Sequence, residues 1–335
     1  MSFEGLIATP FGWIMDGLYR LTSSYPLALI LFAIIVQAVM VPLSVHNRRV
    51  AEKKRQLKPI IAKVRMDYAD DLDKQTDIIT KLYDDAKISL AGSFILNIIP
   101  FFVLIPIFQV VAQPITYLFH ETPETASTIV NALYKEAPEL FNGSYHQITA
   151  ITHIAEYADV IKAAVPEVSA RTLDGLNFSF LGLDLGAVPG VYLLGQAAWA
   201  WDWAHIGVFA LPILYMSRQI YQLFAKIVRS FIAYSKEKKA AKANGLPAPN
   251  IPNPPLLDLF FLLLSLTAMF AVPISMNVYW LIGGVAASVM NKTIQKREKA
   301  TGKEPLNLST LYNPELFATE NTSVSNDVLP ETEAR

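Results

Sequence analysis

The stretch PLALILFAIIVQAVMVPLSVH, residues 26–46, decides the fold: it runs without an acidic residue, Lys or Arg, and a basic segment, NRRVAEKKRQLKP, follows at once over 47–59. A hydrocarbon core roughly 30 Å thick needs about 20 apolar residues in helical form, so 26–46 is long enough to cross a bilayer. Working outward, four more apolar runs occur at 94–119, 204–223, 256–274 and 276–293. The composition agrees, with 53% hydrophobic and only 17% charged residues, where soluble domains carry about 25% charged. The expectation is an all-α polytopic membrane protein with five transmembrane helices.

The last two runs join through Val272, Pro273 and Ile274. A single helix through both would far exceed the bilayer, so a tight external turn is expected at Pro273. A sixth candidate near 185–201 is short and carries Gly186, Pro189, Gly190 and Gly195, which suits the outer interface. With no cysteine, disulfides, thiolate metal sites and a cysteine nucleophile are excluded. Residues 1–25 lack the basic start and short apolar core of a cleavable signal. They read as an outer interfacial segment, and 26–46 as the first permanent span.

Orientation follows from Lys and Arg, which are retained on the cytoplasmic side. Segment 46–93 holds Arg48, Arg49, Lys53, Lys54, Arg55, Lys58, Lys63, Arg65, Lys74, Lys81 and Lys87, and 218–255 is also strongly basic. Segment 120–203 is acidic, with Lys135, Lys162 and Arg171 as its bases. The N-terminus should therefore lie outside and the C-terminus in the cytoplasm. Trp199, Trp201 and Trp203 at the entrance of the third span, with Trp13, Tyr19 and Tyr25 before the first, fit interfacial aromatic belts or ordinary packing.

Between the spans, 47–93 reads as a cytoplasmic helical hairpin. Val50, Leu57, Ile61 and Val64 form one apolar stripe, Asp70 and Asp71 mark a break, and Ile78, Ile79, Leu82 and Tyr83 form a second. Two short amphipathic helices can bury such stripes against each other or on a membrane surface. Residues 120–203 form an external insert, with helices expected near 126–136 and 154–164. Residues 224–255 read as a basic cytoplasmic loop ending in a Pro-rich linker. Residues 294–335 read as a cytoplasmic tail, largely disordered.

No phosphate loop, HExxH, GxSxG or paired-carboxylate spacing occurs, and the histidines are scattered, so the chain reads as no enzyme, with no cofactor and no metal. Lys, Arg, Asp and Glu are nearly absent from the spans apart from Arg218 and Asp258 near their ends, which weighs against a proton-coupled transporter. What the spans contain is uncharged polarity: Gln37 and Ser44 on one face of the first, Gln109 and Gln113 in the second, Asn277, Gly284, Ser288 and Asn291 along the fifth. An unpartnered buried amide costs roughly 2–7 kcal/mol, so these groups should face one another or water. They serve either as interhelical bonds with close packing or as the lining of a polar groove, with Gln37, Ser44, Gln109, Gln113, Asn277 and Ser288 as its candidates.

These segments resemble, in order, the bacterial YidC type of the YidC/Oxa/Alb family of membrane protein insertases. The carriers are PFGWIMDGLYRLTSSYPLALILFAIIVQAVMVPLS ending at Pro42 and Leu43, KKRQLKPIIAKVRMDYADD, IIPFFVLIPIF with Pro100 and Pro106, FSFLGLDLG, ALPILYMSRQIYQ, and VPISMNVYWLIGGVAASVMNKTIQKR with Pro273. Residues 120–175 of the insert and the tail lie outside the resemblance. It implies insertion of nascent membrane proteins in the bacterial cytoplasmic membrane: a groove accepts a hydrophilic segment and releases the hydrophobic segment to lipid, without nucleotide hydrolysis of its own. It also implies the ribosome and a Sec translocon as partners beside the lipid bilayer, no DNA, and a basic contact surface from Arg48, Arg49, Lys53, Lys54, Arg55 and Lys58.

The chain departs from the pattern at Gln37, where the family usually carries the groove Arg, at Leu104, where it carries Gln, and at Ser275, where it carries Gly. The expectation is a polar but neutral groove with weaker preference for acidic tails. Two other readings stay open: a specialised assembly factor without general insertase activity, and a small-molecule transporter, for which no inverted repeat is visible.

Overall fold

The computed structural model describes residues 3–195, 199–243, 251 and 256–300. The chain divides into two compact units, one of residues 1–37 with 103–286 and one of 38–102 with 287–335.

The first unit opens with α1, Phe3–Thr22, and turns at Ser23, which takes a left-handed φ of 50°, into α2, Tyr25–Asp67. Phe11 of α1 meets Phe32 of α2 edge to face, ring centroids 6.3 Å apart. Then α3, Leu72–Asp85, belongs to the second unit. Helix α4, Leu90–Ala112, ends at Gln113 because Pro114 cannot continue the ladder, and Pro114 starts the one-turn α5, Pro114–Tyr117. Gly12 of α1 lies so close to the Tyr117 carbonyl that any Cβ there would overlap it.

The insert follows as a layer of its own: α6, Pro123–Glu136; α7, His146–His153; α8, Ala158–Ala164; and α9, Ala170–Leu173. Thr122 caps α6 by accepting from the Thr125 amide at 3.1 Å, and Ser169 caps α9 through the Thr172 amide at 3.2 Å. Two short strands, β1, Ser179–Phe180, and β2, Leu183–Asp184, pair antiparallel around Leu181 and Gly182. Both turn residues have positive φ, 53° and 79°, as a two-residue hairpin turn requires. Helix α10, Pro189–Leu193, completes the layer. Its core is Ile129, Leu133, Ile151, Ile154, Ile161, Phe178 and Leu185, all buried.

Three long helices remain: α11, Trp203–Ala243; α12, Leu256–Ala271; and α13, Ile274–Ala300. Their ends and that of α2 are fastened to the insert. Trp203 Nε1 donates to the Leu181 carbonyl at 2.9 Å, and the Tyr145 hydroxyl donates to the Ala271 carbonyl at 2.9 Å. The amides of Ile274 and Ser275 donate to the carbonyls of Ala187 and Leu185 at 2.9 and 2.8 Å. Tyr25 packs on Phe178 with centroids 4.6 Å apart. The break between α12 and α13 falls at Val272 and Pro273.

In the second unit the apolar stripe of α2 meets that of α3. Leu57 clusters with Ala86 and Ile88, and Val64 with Ile78 and Leu82, with Val50, Ile60, Ile61, Tyr68, Ile79 and Tyr83 packed around them. Asp71 caps α3, its Oδ1 accepting from the Lys74 amide at 2.9 Å.

Two helices outrun the expected boundaries: α11 continues past 223 to Ala243, and α13 continues past 293 to Ala300. Helix α2 runs from the first apolar stretch straight through the first arm of the expected hairpin and ends at Asp67, beside the break expected at Asp70 and Asp71. The basic segments taken as loop or tail are rich in Ala, Lys, Glu, Gln and Arg, all strong helix formers, and no breaker stands at their start. Residues 244–250, 252–255 and 301–335, on which the Pro-rich linker and disordered-tail readings bear, lie outside the described residues. By length and composition α2 is the one described helix that suffices to cross a membrane; the apolar helices Ile98–Ala112 and Asp258–Ala271 are shorter.

Candidate functional site

In the first unit the half-buried Gln37 amide faces the Tyr279 hydroxyl of α13 and packs on Gly283, where an added Cβ would lie 3.1 Å from its Nε2. The next residue, Gly284, gives its carbonyl to Arg218 of α11, whose Nη2 donates at 2.6 Å. A Cβ at Gly284 would collide with the guanidinium. Beside it, Tyr215 and Trp280 stack with centroids 5.7 Å apart. The surface at this level is therefore not neutral, as Gln37 alone suggested. The sequence reading assigned Arg218 to the end of its span and overlooked that a long helical side chain points back toward its own N-terminus. The paired glycines at 283 and 284, which make room for it, were the available signal.

The other candidates are distributed differently. Asn277 is fully buried where α12 turns into α13, its Nδ2 donating to the Met269 carbonyl at 3.2 Å. It braces the turn and offers no open surface, which corrects its place among lining residues. Gln113 Nε2 donates to Gln109 Oε1, so these amides satisfy each other at the break between α4 and α5. Pro106 and Pro273 are buried and Pro100 is exposed on α4.

In the second unit Ser44 and Ser288 are half-buried and Pro42 is exposed. The basic residues are partly consumed by the fold. Arg48 and Arg49 both bind Glu298, the latter at 2.8 Å. Lys53 Nζ donates to the Ala86 carbonyl at 2.7 Å at the end of α3, and Arg55 pairs with Glu52. Lys54 is half-buried and Lys58 exposed. The six bases thus do not form one uniform contact surface.

Around these polar groups the helices turn apolar side chains outward. Ile213, Leu214, Phe224, Phe260, Leu263 and Leu264 are all exposed, Leu263 by 55%. Trp199, Trp201 and Trp203 are exposed near the start of α11, and Trp13 on α1. Farther along α11, Gln219, Gln222 and Lys226 line a cleft of about 280 Å³ against Asp258 and Phe261 of α12, with Lys226 Nζ 2.6 Å from Asp258 Oδ2.

A charged cluster ties α1 to the insert. Asp16, 6% exposed, accepts from Arg171, from Arg20 Nε at 3.1 Å, and faces His120 Nε2 at 3.2 Å. The Arg171 guanidinium lies over the rings of Tyr19 and Phe119, 5.5 and 5.2 Å from their centroids. Burial alone would raise the Asp16 carboxyl, but the bonds and charges of Arg171 and Arg20 outweigh it and hold the group below its ordinary value. Among the described residues no group of three or more His, Asp or Glu could hold a metal ion.

Comparison with known proteins bears on what this arrangement is. A membrane protein insertase YidC of Nitratidesulfovibrio vulgaris is 35% identical over 108 residues, which is 32% of this chain and 20% of that protein. The membrane protein insertase YidC of Laribacter hongkongensis is 31% identical over 103 residues, 31% of this chain and 18% of its own, and that of Methylobacillus flagellatus 30% identical over 103 residues with the same shares. The matched stretch is thus about a fifth of each relative's length. No solved structure matches. The family described as 60Kd inner membrane protein matches residues 17–301, most of the chain, and the chain accordingly belongs to this family, the YidC/Oxa family of membrane proteins.

Proposed function

We propose that this chain is a membrane protein insertase. The observation that carries the reading is the half-buried Gln37 amide against Tyr279 and the Gly283-Gly284 pair, polar groups in the middle of helices whose outer sides are bare Ile, Leu and Phe. An amide in such helices costs several kcal/mol unless bonded or wetted, so a hydrated groove here would shorten the apolar distance that a client's hydrophilic segment must cross. Its hydrophobic segment would then move into lipid. Such transfer needs no nucleotide hydrolysis by the chain itself.

The topology proposed with it has five spans, with the N-terminus and the insert outside. The α2–α3 pair forms a cytoplasmic hairpin, and the C-terminus is cytoplasmic. The clients are nascent membrane proteins, with the ribosome, whose RNA is anionic, and a Sec translocon as further partners at the basic side.

The test is reconstitution of the purified chain into liposomes with a single-span client bearing a short polar N-tail, in the absence of nucleotide. The reading expects a protease-protected client fragment that depends on the chain; equal protection in empty liposomes would sink it. Growth rescue of an insertase-depleted strain separates a general insertase from a specialised assembly factor, which would fail to rescue.

A further inference from the structure

We propose that a cavity in the insert, where it meets α12 and α13, binds the primary ammonium of a phospholipid's ethanolamine headgroup. The inference goes beyond the insertase reading and does not depend on it.

The cavity holds about 190 Å³. Its walls include Asn142 in the loop before α7, Thr149 and His153 of α7 (His146–His153), Asp184 of β2 (Leu183–Asp184), and Val191 and Tyr192 of α10 (Pro189–Leu193). A hollow with a few convergent polar groups among apolar ones is the usual form of a small-ligand site. Asp184 is held in place, its Oδ1 accepting from the Gly186 amide at 2.8 Å. Its Oδ2 has no hydrogen-bond partner among the described residues, nor have the Thr149 and Tyr192 hydroxyls.

The electrostatics select a cation. Among the described residues no Lys or Arg lines the cavity, and its one histidine, His153, has Glu156 Oε1 3.5 Å from Nδ1. Burial, and after it the charges of Asp184 and Asp202, push the Tyr192 hydroxyl above its ordinary value. Negative potential thus converges on the phenol oxygen, a setting that repels an anion and attracts a cation. A primary ammonium has three N–H donors and no acceptor, a match for one carboxylate oxygen and two hydroxyls. A metal ion fits less well, because among the described residues no group of three His, Asp or Glu could hold one.

The place selects a lipid. Tyr145, also in the wall, donates to the Ala271 carbonyl at the end of α12, and Ala187 accepts from the Ile274 amide at the start of α13. The cavity therefore lies at the insert end of two long apolar helices. Leu193 and Leu194 at the end of α10 are exposed, as are Trp199 and Trp201 beyond them. An acyl chain can cover the leucines and the tryptophans suit the headgroup level, while the ammonium enters the cavity and the phosphate stays in water at its mouth.

The rival accounts are a water-filled gap and a site for a soluble amine. The experiment counts, by native mass spectrometry of the purified full chain, the lipids retained from equal amounts of phosphatidylethanolamine, its N-methyl and N,N-dimethyl forms, and phosphatidylcholine with the same acyl chains. The unmodified chain should retain the ethanolamine lipid over the choline lipid by about tenfold, the scale of one charge-assisted hydrogen bond, with the preference falling at each added methyl. Asp184→Asn keeps an oxygen for the Gly186 amide and should bring the lipids to parity, whereas Asp159→Asn on α8 should change nothing. Equal retention of all four lipids by the unmodified chain, or a preference untouched in Asp184→Asn, overturns the proposal. If Asp184→Asn fails to fold, the methyl series on the unmodified chain decides alone. Soluble ethanolamine at the same concentration should not displace the lipid, since it lacks the acyl chains; displacement would overturn the lipid assignment. No client enters the measurement, so its failure leaves the insertase reading where it stands.

Discussion

The insert between α6 and α10 and the helices α11 and α12 use the same residue types in opposite ways. In the insert, Ile129, Leu133, Ile151, Ile161 and Phe178 are buried against one another. On α11 and α12, Ile213, Leu214, Phe224, Phe260, Leu263 and Leu264 are exposed. In water each such exposed side chain forgoes about 1.5–3 kcal/mol of burial, and a contiguous apolar face of this kind marks a membrane or a partner. One region is built for water and supplies its own core; the other leaves its apolar surface for lipid.

The sharpest way to break this contrast is to remove the same bulk from both regions. Phe178→Ala should destabilise the insert by about 3–5 kcal/mol, the usual cost of an emptied aromatic site, read as faster proteolysis of the insert in the membrane-embedded protein. Phe260→Ala should leave that protection unchanged, since the ring meets fluid surroundings and leaves no cavity. If both variants behave alike, the two regions share one solvent and the contrast fails.

Next in size is a change of polarity. Leu263→Asp should impair membrane integration by about 2.5–3.5 kcal/mol on the insertion scale, measured by alkali extraction. In a water-facing helix the same change would be neutral and would raise solubility, which is the contrary result.

The latch that ties α1 to the insert comes third. Asp16→Ala leaves the Arg171 guanidinium between Tyr19 and Phe119 without its carboxylate and should loosen α1 by about 1–2 kcal/mol, discounted because Arg20 is largely exposed. The same latch sets a pH dependence. Asp16 is held below its ordinary value in the fold, so its contribution is complete above about pH 4, the unfolded carboxyl range, and is lost as acid titrates the folded group at lower pH. Hydrogen exchange of α1 should rise there in the unmodified chain and show no such step in Asp16→Ala. The smallest effect is expected from Asp71→Ala, which removes the α3 cap and should cost about 1 kcal/mol in the α2–α3 pair.

Much of the helical architecture was legible because period and composition speak directly. The stripes of Leu57 and Val64, Ile78 and Leu82 found one another, and Pro273 did break α12 from α13. The break after Asp67 fell beside the expected Asp70 and Asp71, whereas the helix ends at Ala243 and Ala300 were not legible, since charge was taken as a sign of loop or tail where Lys, Glu and Ala simply extend a helix. The insert hid its core for a different reason: Phe178 and Leu185 sit far in sequence from Ile129 and Leu133, and long-range packing leaves no period to read. At the candidate site, Gln37 and Gly284 were singled out from polarity alone, whereas Asn277 proved to be a brace and Arg218 a reach-back. Both depend on which way a side chain points, which spacing does not fix.

The most direct test of the central claim is site-specific photocrosslinking to a stalled nascent membrane protein in vesicles, with the probe at Gln37, at lipid-facing Leu263 and at enclosed Asn277. An insertase working through the polar surface predicts a strong client adduct from 37 and little from 263 or 277. The absence of a client adduct from 37 in correctly folded protein, or adducts of equal strength from all three positions, would contradict it.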